Sequence, residues 1–412
     1  MGTRLLLASV AAVAVAVAGC GGSKEPAAKP TPTPTHGATT ASQGAEQPRD
    51  DAGDINALLR ERAQQLERGD ANAFAATSTG AQRARDRQAA RRTKRLSLEQ
   101  VRFIPDEVQT SGDRATLAVT LSYRVRGMKR PFRTRRRLVA RRSGDRWRIA
   151  RDRARREPLP WEVAAFRAVR TRHVVLLVPP GMDAAPLRSG LEQAYREISR
   201  DLPSRDLPPS VLAIAAEDAG QAEELTGRIA KGIVAIANVS VEWGPEPALQ
   251  VERVLAQRLI VVVDRWGTQD DFARQSTLVH EMTHTALDPD TSARTPPWLV
   301  EGLAMYVSND DRSDEARARA AGAGPSTSLR RLCKPNSIFR LRGSDQGAAY
   351  AVSSAAAETI VARRGNKGLF ELYDAFNDSR IPGLPGARTT DRVLRRTLGM
   401  SLAQLDAAAI GG

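Results

Sequence analysis

The apolar and polar positions divide the chain into three parts. Residues 5–18 are a short apolar run, and residues 21–50 show no apolar periodicity. From residue 52 onward, helical and strand spacings follow one another. Asp54 is placed to cap a helix that carries Ile55, Leu58, Leu59 and Leu66 on one face, and Gly69-Asp70 breaks it before a second helix with Phe74. Strand patterns then cover 101–104, 115–125, 133–141 and 146–150, with turns at Ser111-Gly112-Asp113 and Ser143-Gly144-Asp145. Residues 158–171 form a hinge, and 161–171 read as a helix with Val163, Phe166 and Val169 inward. Further strands are expected at 173–178, 210–216, 232–237 and 258–263, with a helix over 184–201 and a helix or loop at 217–227. Downstream of 265 the pattern is helical, except for a polar Gly/Ala-rich loop over 309–330. A helix over 347–365 stops at Gly365, and others follow at 369–376 and 392–406. The expected fold class is therefore α+β. A helix-plus-antiparallel-sheet unit (52–157) precedes a unit (172–412) with a small mixed sheet and a helical C-terminal half.

The chemistry concentrates in S-T-L-V-H-E-M-T-H-T-A-L and the later P-P-W-L-V-E-G-L-A-M-Y-V, residues 276–287 and 296–307. His280 and His284 are four apart, so on a helix they project from one face and can share an ion. Glu281 leans over the same site, and Glu301 follows on a second helix after 16 intervening residues. Two imidazoles and a carboxylate leave a fourth position for water, as in catalytic rather than structural zinc sites. The apolar Leu278, Val279, Met282, Ala286 and Leu287 bury this helix, where ionisable groups rarely sit without partners.

These two motifs resemble the gluzincin metallopeptidases, in particular the peptidase MA-like domains, whose second motif reads W-x-x-E-G-x-A. The resemblance runs over roughly residues 172–410. It implies one Zn2+ held by His280, His284 and Glu301, with Glu281 as general base and a peptide or protein as substrate. It also implies an oxyanion donor from a downstream helix, for which Tyr350 is the candidate and Tyr306 the runner-up. Asp288 or Asp290 could orient a ligating imidazole. In zincins an exposed edge strand pairs with extended substrate, and residues 232–240 are the candidate edge. Helices followed by an antiparallel meander ending in G-D-R-W-R-I resemble the nuclear transport factor two-like cone.

Composition adds an address and a partner. Arg4 precedes the apolar run, which is shorter than the roughly 20 residues that span a bilayer. The run ends in V-A-G-C, which resembles the bacterial lipobox and implies a signal peptide over 1–19 with lipidation at Cys20. A disordered Pro/Thr/Ala linker over 20–51 follows, with His36 solvated in it. The expected location is extracytoplasmic, anchored by lipid to the bacterial cell membrane. Cys333 is then the one cysteine left, without a disulfide partner. His173, at the edge of a strand, reads as structural.

Net charge is +15, and residues 49–156 hold 29 Lys and Arg against 13 Asp and Glu. That excess suits an anionic lipid surface or anionic wall polymer, although a charge run can also be a solvated face. Nucleic acid is not expected, because an exported lipoprotein rarely meets it. The alternative to an enzyme is a non-catalytic lipoprotein that binds an envelope partner through the basic unit.

Overall fold

The computed structural model describes residues 50–411 apart from 155–156, 203–204, 206, 228–231, 247–248, 311–326 and 382. The signal peptide, Cys20, the linker with His36, and most of the expected loop over 309–330 lie outside the described residues.

Helix α1 (Asp51–Arg68) begins one turn earlier than expected. Asp50 rather than Asp54 caps it, accepting from the Gly53 N–H at 2.9 Å. Gly69 ends it in the left-handed region at φ 66°, which suits a residue without Cβ. Helices α2 (Ala71–Ala76) and α3 (Gly80–Thr93) follow. They lead to a four-stranded antiparallel meander of β1 (Leu98–Ser111), β2 (Arg114–Val125), β3 (Phe132–Ser143) and β4 (Arg146–Ala154). Strict alternation in β2 buries Ala115, Leu117, Val119, Leu121, Tyr123 and Val125 against the helices. Helices and one sheet face thus build the first core, as the pattern predicts.

A buried polar network also sits in that unit, centred on Arg62. The Arg62 guanidinium, 1% exposed, pairs with Asp86 at 2.6 Å and Asp152 at 3.0 Å, while Asp152 also takes Arg136 at 2.6 Å. Phe74 packs under Arg62 with 4.2 Å from its guanidinium carbon to the ring centroid. Fully paired, the buried charges are tolerable; unpaired, they would not be.

The segment expected as a helix over 161–171 is mostly something else. Only α4 (Pro160–Val163) is helical, and Arg167–Arg170 form strand β5, antiparallel to β6 (Val174–Val178). Apolar residues three apart in so short a stretch fit either period, and sheet pairing decided it. The second sheet has the order β5-β6-β7-β9-β8, with β7 Val211–Ala216, β8 Ala235–Trp243 and β9 Val251–Val262. β6, β7 and β9 run parallel, and antiparallel β5 and β8 form its two edges.

The two faces of this sheet go to different places. Val174, Leu176, Val178, Ala213 and Leu259 pack on α5 (Ala185–Asp201) and α8 (Asp271–Leu287). Val175, Leu177, Leu212, Ile214 and Ile260 join the core of the N-terminal unit through Tyr123, Trp161 and Phe166. The two units therefore share one continuous apolar core. Helix α6 (Ala219–Thr226) and the turn α7 (Val263–Trp266) connect strands and α8.

The C-terminal half is helical: α9 (Pro297–Val307), α10 (Gly343–Ala375), α11 (Ala387–Leu398) and α12 (Leu402–Gly411). Gly365 interrupts α10 with φ 67° and ψ 177°, at the place where the sequence sets a helix stop. Cys333 is buried and free. His173 pairs with Glu192 at 2.5 Å and stacks on Tyr195, a structural role. Among the described residues no helix is long and apolar enough to cross a membrane.

Candidate metal centre

Asp270 caps α8 by accepting from the Ala273 N–H, and every residue from Ser276 to Leu287 is buried. That burial has three sources: the sheet above, α5 alongside and α9 behind. Gly190 of α5 lets the two helices approach closely, since a Cβ there would lie 2.8 Å from a Leu278 methyl. Helix α9 starts with Pro297, whose missing N–H costs nothing at a first helical turn. Its Gly302 meets the backbone of α10, where a Cβ would stand 2.2 Å from the Ser353 carbonyl oxygen. Only glycine fits this crossing, and the neighbouring residue is Glu301.

The crossing brings three predicted side chains together. Nε2 of His280 and Nε2 of His284 are 3.1 Å apart, and Glu301 Oε2 lies 3.3 Å from the first and 3.6 Å from the second. All three are buried and form the group of ligand-type side chains able to hold a metal ion. Neither Nδ1 atom of the histidines nor either oxygen of Glu301 has a hydrogen-bond partner. Donors arranged tetrahedrally about zinc at ~2.0–2.1 Å stand about 3.3–3.4 Å from one another, which is the spacing of these three atoms. A buried Glu301 carboxylate set between two imidazole Nε2 atoms fits a bound cation better than it fits a packed core.

Glu281 lies beside them, fully buried. Its Oε2 accepts from the Ala237 N–H of strand β8 at 2.6 Å, while Oε1 has no partner. Burial pushes the Glu281 pKa up, and the His280 and His284 imidazoles oppose that shift. For His284, burial alone would lower the pKa, but the Glu301 carboxylate outweighs it and holds it up. Glu301 moves the other way: burial disfavours its charge, yet the imidazoles hold its pKa below the ordinary carboxylate range.

Around this group the remaining predicted residues separate. Asp288 is buried, accepts from Gln257 at 2.6 Å, and burial pushes its pKa up to about 7. Asp290 instead faces outward and pairs with Arg205 at 2.8 Å. Tyr306 donates to Asn366 Oδ1 at 2.8 Å. Tyr350 is buried on α10, one helical turn before Ser353 and thus next to the Gly302 crossing. A cavity of about 30 Å³ lies beside Glu301, lined mainly by apolar groups including Ala293, Pro297, Val300 and Phe339. Cys333 also lines it, its thiol pushed up to about 11 by burial, so it remains a neutral thiol at ordinary pH.

Two contacts have no signature in the sequence. The Ala237 N–H reaches Glu281 because β8 is the edge strand and its register sets that residue over α8. Gln257 reaches both Asp288 and the Thr285 carbonyl from β9. Each depends on strand register across tens of residues, which local pattern does not fix.

No family model and no curated protein matches the chain. Among solved structures, it is similar to a Mycobacterium tuberculosis protein of unknown function at 20% identity and TM-score 0.23, over 28% of this chain and 79% of that one. It is similar to a hypothetical protein with a ketosteroid isomerase-like fold from Catenulispora acidiphila at 18% identity and TM-score 0.19, over 24% of this chain and 82% of that one. A mutant M1 zinc metallopeptidase from Deinococcus radiodurans is similar at 12% identity and TM-score 0.36. That match covers 73% of this chain and 62% of the peptidase, so the chain spans under two-thirds of that protein's length.

Proposed function

We propose that the chain is a zinc metallopeptidase acting outside the cytoplasm, tethered to the bacterial membrane through a lipidated Cys20, with Glu281 as general base. The observation that carries the enzymatic part is the spacing of the two Nε2 atoms and Glu301 Oε2, all buried and within 3.1–3.6 Å of each other. His280, His284 and Glu301 would hold the ion. Bound there, zinc supplies Lewis acidity toward a carbonyl oxygen and lowers the pKa of a coordinated water toward 7.

The chain's own groups supply the rest. Glu281 is oriented by Ala237, which leaves Oε1 to take a proton from water and return it to the departing amine nitrogen. A fully buried carboxylate with a raised pKa is suited to holding that proton in transit. Strand β8, at the edge of its sheet, offers main-chain groups to an extended peptide. Tyr350 is the proposed donor to the developing oxyanion. Export and anchoring rest on the sequence alone, on Arg4, the apolar run and V-A-G-C.

The test is zinc content measured on purified protein, together with cleavage of an unstructured protein substrate with and without 1,10-phenanthroline. Activity that chelation abolishes and zinc restores is expected. Protein that takes up no zinc would sink the metal centre, and protein that holds zinc but cleaves nothing in a peptide library would sink the peptidase reading.

A further inference from the structure

The outward face of the N-terminal sheet carries a lattice of arginines. Across the strands, Arg137 stands opposite Arg153, and Arg141 stands opposite both Arg114 and Arg148. Arg151 lies between them on β4, opposite Val139. Like charges directly opposite each other in a sheet are destabilising, so stability alone does not account for this placement. Among the described residues none of these six guanidinium groups has an ion-pair partner, and five of the six residues are exposed, Arg148 being intermediate.

Several carboxylates in and beside this unit hold other arginines, and Asp106 accepts from Thr120 on the outward face. Asp86 and Asp152 hold Arg62, Asp152 and Glu162 hold Arg136, and Asp51 holds Arg142. On the outer face itself Arg124 and Arg135 pair with Glu99 and Glu242, while the six arginines named above have no ion-pair partner among the described residues.

We propose that this face is a docking surface for an anionic phospholipid bilayer. The backbone positions of these arginines spread in two dimensions, about 4.8 Å apart between strands and roughly 6.6–6.8 Å apart between alternate residues along a strand. Between them on β2 stand Thr116, Ala118 and Thr120, which give low relief. No aromatic occupies an outward position on β2, β3 or β4 beside them, so the stacking platform that favours a single-stranded nucleic acid is missing. A plane of phosphates matches a plane of planar, bidentate donors. The proposal rests on this face and not on the reading of Cys20 or of the metal centre.

The experiment is co-sedimentation of the full chain with phosphatidylglycerol/phosphatidylcholine vesicles and with pure phosphatidylcholine vesicles, at about 0.1 M and about 0.5 M NaCl. The readout is the ratio of anionic to neutral binding, which cancels any insertion of the apolar N-terminal run. A ratio of tenfold or more is expected at low salt and near unity at high salt. The triple variant R137S/R141S/R151S should lower the ratio at least tenfold, at about fivefold per arginine in contact. The control R83S/R85S/R91S removes the same charge from exposed positions of α3 and should stay within twofold of the parent. Equal loss in both triples would reduce the effect to net charge and overturn the proposal. So would a parent chain with no preference for anionic vesicles, whatever the variants do. Arginine-dependent binding of soluble polyphosphate without vesicle preference would overturn it in favour of a linear polyanion.

Discussion

Glu281 Oε2 is tied to the Ala237 N–H at 2.6 Å, which fixes the proposed base to the edge strand of the sheet. One oxygen is thereby held and the other left for chemistry. Replacing Glu281 by Gln keeps the size and removes the proton acceptor. E281Q should retain zinc near one per chain by metal analysis while losing 10²–10⁴-fold in peptide cleavage, the range a general base contributes. Unchanged cleavage in zinc-loaded E281Q would remove Glu281 from that role.

The ligand set makes a separate prediction. H284A removes one of three donors whose other atoms have no protein partners. Zinc content after dialysis should fall well below one per chain. In the parent, zinc at a hundred times its dissociation constant should add about 2.7 kcal/mol of stability, seen as a higher melting temperature, and H284A should not respond. An equal melting shift in both proteins would count against ligation.

Gly302 is a mechanical test of the same centre. A Cβ at this position would overlap the Ser353 carbonyl oxygen, a backbone atom that cannot swing aside. G302A should cost about 1–3 kcal/mol as overpacking and push α9 away from α10. Because Glu301 is the adjacent residue, weaker zinc affinity should accompany the lower melting temperature. A G302A protein with parental stability and zinc affinity would show that the close approach is not required.

The Arg62 network predicts behaviour in acid. Burial alone would raise the Asp152 pKa, but Arg136 and Arg62 outweigh it and hold it below the ordinary carboxylate value. A depressed folded-state pKa contributes stability above the unfolded value near 3.9, lost as pH falls through the lower folded one. Unfolding free energy should therefore drop steeply below about pH 4, and D152N should flatten that limb. At neutral pH, R62L should cost about 3–5 kcal/mol, because it leaves Asp86 buried without a cation, and D152N about 1–3 kcal/mol, because Arg62 keeps Asp86 and Arg136 keeps Glu162. A loss under 1 kcal/mol in both would mean that water reaches the network.

Much of this was legible in the sequence where the signal is local. The four-residue spacing of His280 and His284, the Glu301 helix and the stop at Gly365 all follow from periodicity and residue type within a dozen positions. What escaped was set by register and partners far along the chain. Arg167–Arg170 reads as part of a helix until β6 offers it a ladder. Ala237 carries no polar side chain, yet its main chain holds the proposed base. Asp288 and Asp290 look equivalent as letters, but one is sunk beneath Gln257 and the other turned toward Arg205. The gathering of Arg114, Arg137, Arg141, Arg148, Arg151 and Arg153 on one sheet face needs the pleat, which sequence counts average away.

The merged apolar interior has a consequence for how the molecule can be divided. Strands β6, β7 and β9 turn one side toward the cluster that holds Tyr123, Trp161 and Phe166, so the half that carries the metal-site residues has no finished underside of its own. Cut near Pro158, that half would present a greasy slab to water, and its natural fate would be clumping instead of independent catalysis. The N-terminal portion is thus a permanent floor for the half that holds His280, His284 and Glu301, and excision by a protease would unmake that half, not liberate it.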